Sequence, residues 1–340
     1  MPAVVSTNLT TSLSPAPDFS QTFYNRELLT RAKYRDYYGR WAASAAIPGK
    51  SGKYAVFRRY ALLAMPLSPL TEGVPPAGKT PTLTDYQATL LQYGDFIALS
   101  DFADATGIDD YQRHWAGLLG EQAGYTLDAI NRDVACAGTT VIYANGTQRT
   151  DINTVIDGND LDRAIRSLVN NGTEKLLSGN GGTTTVGTYP VMPAFPAVTL
   201  PDVMFSLQNI TGFKWASEYK GAAEGESGRY KTIAFFESPD PSALGAGGKK
   251  WVDAGGATNA GIKSNLGTSA DVYSIMIFGK NGLTQVPLSS GSTKTYRKAL
   301  GSAGTGDPLE QVMTMGWKNT SARLRTNENW LVRIECAAEV

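Results

Sequence analysis

The chain has 340 residues, 42% hydrophobic and 18% charged, enough apolar material for a sizeable core. Its 31 basic and 31 acidic residues cancel, so no global field draws it to nucleic acid or to an anionic membrane. A single histidine and two widely separated cysteines, Cys136 and Cys336, exclude a thioredoxin-type pair and argue against a zinc centre, and no run approaches the ~18 consecutive apolar residues of a membrane span.

The first segment, residues 1–22, is rich in Ser, Thr and Pro. It reads as an extended arm, and it has neither the basic start nor the apolar run of a secretory signal. Together these features point to an intracellular globular chain with loose ends. Helical spacing follows over 23–46, through Phe23, Leu28, Leu29, Tyr34, Tyr37, Tyr38 and Trp41, until Ile47-Pro48-Gly49 breaks it. Residues 53–65 and 82–99 predict two strands rich in β-branched and aromatic residues. Between them, prolines at 66, 69, 75, 76 and 81 exclude both a helix and a central strand. The expectation is a long two-stranded arm with an irregular tip. A ribbon of this kind is marginal alone in water, so it needs a surface to lie on.

Residues 107–138 carry the clearest periodicity. Ile108, Tyr111, Trp115, Leu118, Leu119, Ala123, Leu127, Ile130, Val134 and Ala137 recur in steps of threes and fours, one face of a helix. Tyr111, Trp115, Leu118, Leu127, Ile130 and Val134 are the expected core residues of this spine, with Asp128 and Arg132 paired on its polar side. Thr106 or Asp109 suits its start and Gly138 its end. The middle of the chain is α/β in character. A short amphipathic helix is expected over 160–170, a Gly/Thr/Pro loop over 180–196 and a helix from Pro201, followed by a strand over 229–237. A Gly/Ala/Ser-rich loop should occupy 240–270, with a buried strand over 271–279 and a hairpin continuing after Asn281-Gly282. Two strand-like stretches flank Asn327-Glu328-Asn329, so the first and last segments are expected to share a sheet.

Chemistry is scarce. His114 lies within the long helix, without an evident nucleophile and carboxylate partner. The stretch 243–249 departs from a phosphate loop at Ala243 and Lys250, and the glycines of 301–306 lack dinucleotide spacing. Asp101, Asp104, Asp109 and Asp110 cluster where a helix begins, the place where carboxylates cap and complement the dipole. Glu121 and Asp128 read as a solvated face. The basic–aromatic stretch from Arg26 to Trp41 suits a helix docked on a neighbour more than nucleic-acid stacking. No cofactor and no metal are expected. A metal-assisted hydrolase using the 101–110 carboxylates is a distant alternative, and a β-rich tail protein is opposed by the long helix.

Particular residues go further. The run QYGDFIALSDFADATGIDD with LLGEQAGYTLDAINRDVACAGTTVIYANG (92–146), PDVMFSLQN (201–209), GESGRYKTIAFFES (225–238), DPLEQVMTMGWKN (307–319) and the closing NENWLVRIE together resemble the phage N-4-type major capsid family. The family has the Hong Kong 97-type capsid fold of tailed phages. The resemblance spans about residues 25–335 in order. It implies an α+β fold with an N-terminal arm (1–47), an extended β-hairpin loop (48–92), a peripheral domain with the spine helix (93–150), an axial α/β domain (151–300) and return strands of the peripheral domain (301–340). It further implies a non-enzymatic subunit that assembles with itself into hexamers and pentamers around double-stranded DNA. Tyr34, Trp41, Arg58, Arg59, Glu72 and Lys79 would be contacts between subunits. Scaffolding, decoration and portal proteins would be further partners, packaged DNA would be touched non-specifically, and no membrane would be involved. The chain would reside in the virion after assembly in the host cytoplasm. A bacterial encapsulin-like nanocompartment shell shares the fold and is the runner-up.

Overall fold

The computed structural model describes residues 36–61, 63–70, 72–76, 78–106, 111–179, 191–239, 248–289, 293–302 and 307–340. A 3-10 turn at Gly39–Trp41 leads into β1 (Ala43–Ser44), β2 (Tyr54–Tyr60), β3 (Leu83–Thr89) and β4 (Leu91–Ser100). Two helices follow, α1 (Asp101–Thr106) and α2 (Tyr111–Cys136). Next come β5 (Val141–Tyr143), α3 (Gly158–Asn170), β6 (Phe195–Thr199), α4 (Pro201–Gln208) and β7 (Phe213–Trp215). The chain continues through β8 (Glu226–Tyr230), β9 (Ile233–Glu237), β10 (Lys250–Trp251), β11 (Val272–Phe278), β12 (Leu283–Pro287), β13 (Lys294–Lys298), β14 (Val312–Arg325) and β15 (Leu331–Cys336).

These strands form two large sheets and a separate ribbon. In the smaller of the two, the 14-residue β14 is the backbone of the sheet. It pairs along one edge with β4 from Val312↔Ser100 to Ser321↔Leu91, and along the other with β13 and then β12. The expected sharing of a sheet between early and late segments is this β4–β14 ladder. The eight-stranded sheet runs β5-β15-β11-β6-β9-β8-β7, with β10 added beside β11. Its central strands β11 and β15 are buried at every position, as strands covered on both faces must be. Tyr273, Ile275 and Ile277 face the helices α3 and α4, through Leu161, Ala164, Leu168, Val203 and Leu207. Met276 and Phe278 face Tyr38, Trp41 and the end of α2.

Local chemistry accounts for the helix ends. Asp157 and Asp160 form a reciprocal capping box at the start of α3, and Pro201 occupies the first turn of α4. Other expectations are corrected. The stretch 82–99 is two strands, β3 and β4, which belong to different sheets. The stretch 229–237 contains a tight hairpin, turned at Lys231 with φ 48°. An unforeseen strand at 195–199 begins in the last two residues of the expected loop over 180–196. Pro196 is tolerated there because β6 pairs with β11 only at Ala197 and Val198. Asn281 does turn the chain with φ 59°. However, β12 pairs with β14 rather than with β11, so the turn hands the chain from one sheet to the other. The last strand, β15, lies in the eight-stranded sheet and not with β14, so the expected block 301–340 is split between the two. Residues 36–46 form the 3-10 turn and β1 rather than a helix. The rest of the 23–46 stretch, Asp109 and Asp110, and the glycine-rich residues 243–247 and 303–306 lie outside the described residues.

The spine is 26 residues long, about 39 Å at ~1.5 Å per residue. Its buried face differs from the expected one. Leu118 is 56% exposed, and Tyr111, Trp115, Leu127, Ile130 and Val134 are half-buried. The fully covered residues are instead Ala116, Gly117, Leu119, Gly120, Ala123 and Gly124, followed by Asp128, Asn131, Arg132, Ala135 and Cys136. The cause lies in β14. It sends Met315 and Trp317 into the interface, so the helix must contribute small side chains for the backbones to approach. Asp128 and Arg132 are therefore interior residues, not a solvated pair, and Glu121 is half-buried.

Candidate contact surface

β2 and β3 pair antiparallel from Tyr54↔Thr89 to Tyr60↔Leu83, and Ala61 N donates to Thr82 O at 3.0 Å to close the ladder. One face of the ribbon is seated mainly at its base. There Ala55, Ala88 and Leu90 pack on Val286 and Ala322. On the other face Tyr54, Val56, Tyr60 and Leu83 are exposed. Beyond residue 60 an irregular tip carries Leu63, Met65, Leu67, Leu70 and Val74, all exposed, with Met65 at 81% and Leu67 at 88%. The five prolines keep the tip out of a ladder of its own.

The expected contact residues fall into distinct settings. Arg58 lies directly opposite Asp85 and pairs with it at 3.3 Å on the exposed face. Arg59 turns inward, and its Nη1 donates to Asn327 Oδ1 at 3.0 Å, tethering the ribbon to the turn before β15. Glu72 is exposed at the tip. The Lys79 ammonium donates to the Ala64 carbonyl across the tip, a bracing role within the chain. Trp41 departs from expectation. It is buried in this chain's own core, its ring 4.6 Å from that of Phe236, and offers nothing to a neighbour. Tyr34 lies outside the described residues.

A second surface was not foreseen. The face of β4, β14 and β13 opposite α2 is open. Phe96, Gly316 and Tyr296 stand in one row across the three strands, with both aromatic rings exposed. Gly316 is the floor between them: a Cβ there would meet the Asp95 carbonyl and the Phe96 Cβ at 2.7 Å. With Lys298 and Lys318 the row lines a groove of about 470 Å³. The charged–aromatic alternation of Lys294, Tyr296 and Lys298 was the available signal for this edge strand.

Of the carboxylates in the distant hydrolase reading, the two described ones, Asp101 and Asp104, make local contacts. Asp101 Oδ1 accepts from Phe102 N at 2.6 Å at the start of α1, and Asp104 faces the Gln112 amide at 3.3 Å. His114 is exposed on α2. Among the described residues no three His, Cys, Asp or Glu side chains gather as metal ligands, and no helix is long and apolar enough to cross a membrane.

No protein-family model matches the sequence, and no curated protein matches it. Solved structures do match. The capsid of Ralstonia phage GP4 superposes with a TM-score of 0.62 at 11% identity, over 90% of this chain and 92% of that one. The head structure of Helicobacter pylori bacteriophage KHP40 gives 0.59 at 11% identity, over 87% of each chain. The capsid of Cyanophage P-SCSP1u gives 0.57 at 15% identity, over 90% and 88%. Matched by these capsid structures over about nine tenths of its length, this chain has the Hong Kong 97-type capsid fold.

Proposed function

We propose that the chain is a major capsid protein of a tailed phage, assembling with itself into hexamers and pentamers that close an icosahedral head around double-stranded DNA. The observation that carries this reading is the ribbon tip, whose apolar side chains nothing among the described residues buries. Covering one such side chain contributes about 1.5–3 kcal/mol. Five per subunit reach the scale of the roughly 4–15 kcal/mol that association costs. Repetition by symmetry then multiplies each contact.

In this reading residues 1–47 are the arm and 48–92 the loop that grips a neighbour. The β4–β14–β13–β12 sheet and α2 are the peripheral part, and the eight-stranded sheet with α3 and α4 is the axial part. Because β15 lies in the eight-stranded sheet, the axial part includes the end of the chain. An affiliation with the phage N-4-type family rests on the sequence motifs. Scaffolding, decoration and portal proteins are the further partners, DNA is held without sequence reading, and assembly takes place in the host cytoplasm. Negative-stain electron microscopy of the expressed chain tests the proposal. Closed shells, or rings of five and six, are expected. A chain that stays monomeric at high concentration in phage-head buffers, with and without co-expressed scaffold, would overturn it.

A further inference from the structure

The end of the arm meets the spine in a carboxyl pair, in which Asp128 is buried and Asp36 reaches in from an exposed residue. Asp128 Oδ1, on α2, accepts from Tyr37 N at 3.0 Å and from Tyr38 N at 2.6 Å. Asp36 Oδ1 accepts from Gly39 N at 2.8 Å, folding the 36–39 turn onto itself. The two carboxyl groups lie within hydrogen-bonding reach of each other. Gly39 allows this approach, because any Cβ there would strike the Asp36 carboxylate and the Asn131 amide.

Three further groups close the site. From β14, Arg323 Nε donates to Asn131 Oδ1 at 2.6 Å, and its guanidinium lies 5.5 Å from the Tyr93 ring of β4. The Tyr38 hydroxyl is buried in the docked segment, and Arg132 lies one turn along α2 with Asp133 as its partner at 3.1 Å. Asp128 is 1% exposed, and its Oδ2 has no hydrogen-bond donor among the described residues. A carboxyl oxygen in that position is satisfied when it carries a proton and donates to its neighbour. Arg323, Arg132 and Lys249, the last also on Asp133 at 3.1 Å, match Asp36, Asp128 and Asp133 in number, so it is the unmet Oδ2 of a buried carboxyl, and not the charge balance, that calls for the proton.

We propose that Asp36 and Asp128 share one proton and form a pH-graded latch that pins the turn at residues 36–41, and so the exit of the N-terminal segment, to the spine helix. Burial holds both carboxyls above their ordinary range, and at Asp128 the nearby Asp36 charge adds to it, to about 7. The docked state therefore keeps a proton that the undocked state releases. Docking is at full strength below the ordinary carboxylate range near 3.8 and is lost as pH rises through about 7. The latch is independent of the shell reading and would operate in the free subunit.

Hydrogen exchange of the full chain, followed by mass spectrometry from pH 5 to 8 and corrected for the intrinsic rate, tests it. Protection of the amides of residues 37–41 should fall at least about tenfold between pH 5 and 7.5, from a limit of tenfold per pH unit for one proton, and then level off. Asp128→Asn supplies the two acceptor bonds and a permanent donor toward Asp36, so its protection should be high and flat across this range. Asp36→Asn, which puts the donor on the other partner, should also be flat. Equal protection at pH 5 and 7.5 in the parent chain would overturn the proposal, as would the parental slope in both variants.

Discussion

Leu118 and Leu119 are neighbours on α2 with opposite surroundings. Leu119 is 1% exposed and packs between Ala116, Ala123, Met315 and Trp317. Leu119→Ala is expected to destabilise the fold by about 2–5 kcal/mol, the range for a buried leucine. Leu118→Ala should stay within about 0.5 kcal/mol in the isolated subunit. Urea melts of the two variants check this, and equal losses would mean that the helix face is assigned wrongly. The cysteines make a second residue-scale case. Burial raises the Cys136 thiol to about 11 and pushes the Cys336 thiol up still further, so neither supplies thiolate at neutral pH. Neither should react with a thiol reagent at pH 8 in the native chain, and both should react in denaturant. Rapid native labelling of Cys136 would contradict its burial. That the cysteines are small interior side chains was legible in the sequence, because they are too few and too far apart for anything else. The role of Asp128 was not. A carboxylate on a long helix is usually solvated, and only the distant turn that brings the Tyr37 and Tyr38 N–H groups onto it makes this one an interior residue.

At the scale of elements, the ribbon is where sequence and structure agree most closely. Alternating β-formers on either side of a proline cluster can hardly make anything else. The structure adds that the ladder is short, β2 and β3 being seven residues each, and that β4 leaves it for another sheet. Deleting Met65–Pro81 should leave the thermal midpoint of the subunit nearly unchanged, since the described tip side chains are exposed, and should abolish closed shells. Intact shells from the deletion, seen by electron microscopy, would show that the tip is not a grip. The long helix was legible as a helix, while its buried face was not. A periodicity count weights large apolar residues, but at this interface the large residues come from β14 and the helix supplies glycine and alanine. Strand β6 and the β8–β9 hairpin were missed for local reasons. One contains a proline, and the other turns at a lysine in place of the usual glycine or asparagine.

Over the whole molecule, α2 braces the two sheets. Its first half packs through Leu119 on the β14 sheet and its last turn packs through Ala135 and Cys136 on the β11 sheet. The strands β11 and β12, and likewise β14 and β15, pass the chain between the sheets. One cooperative transition is therefore expected in calorimetry. Phe278→Ala, which costs about 3–5 kcal/mol at a fully buried ring, should lower that single midpoint rather than split it. Two resolved transitions would mean that the spine does not couple the sheets. Sequence by itself determined the kinds of element and their order. It also determined the absence of any complete catalytic motif and, through the motifs at 92–146 and 307–319, the resemblance to a capsid subunit. These are properties of short stretches, set by local periodicity, proline placement and composition. Only the tertiary structure decided which sheet each strand joins, which face of the spine is covered and that Asp36 meets Asp128. Each of these depends on a partner brought in from far along the chain, and local pattern carries no record of that partner.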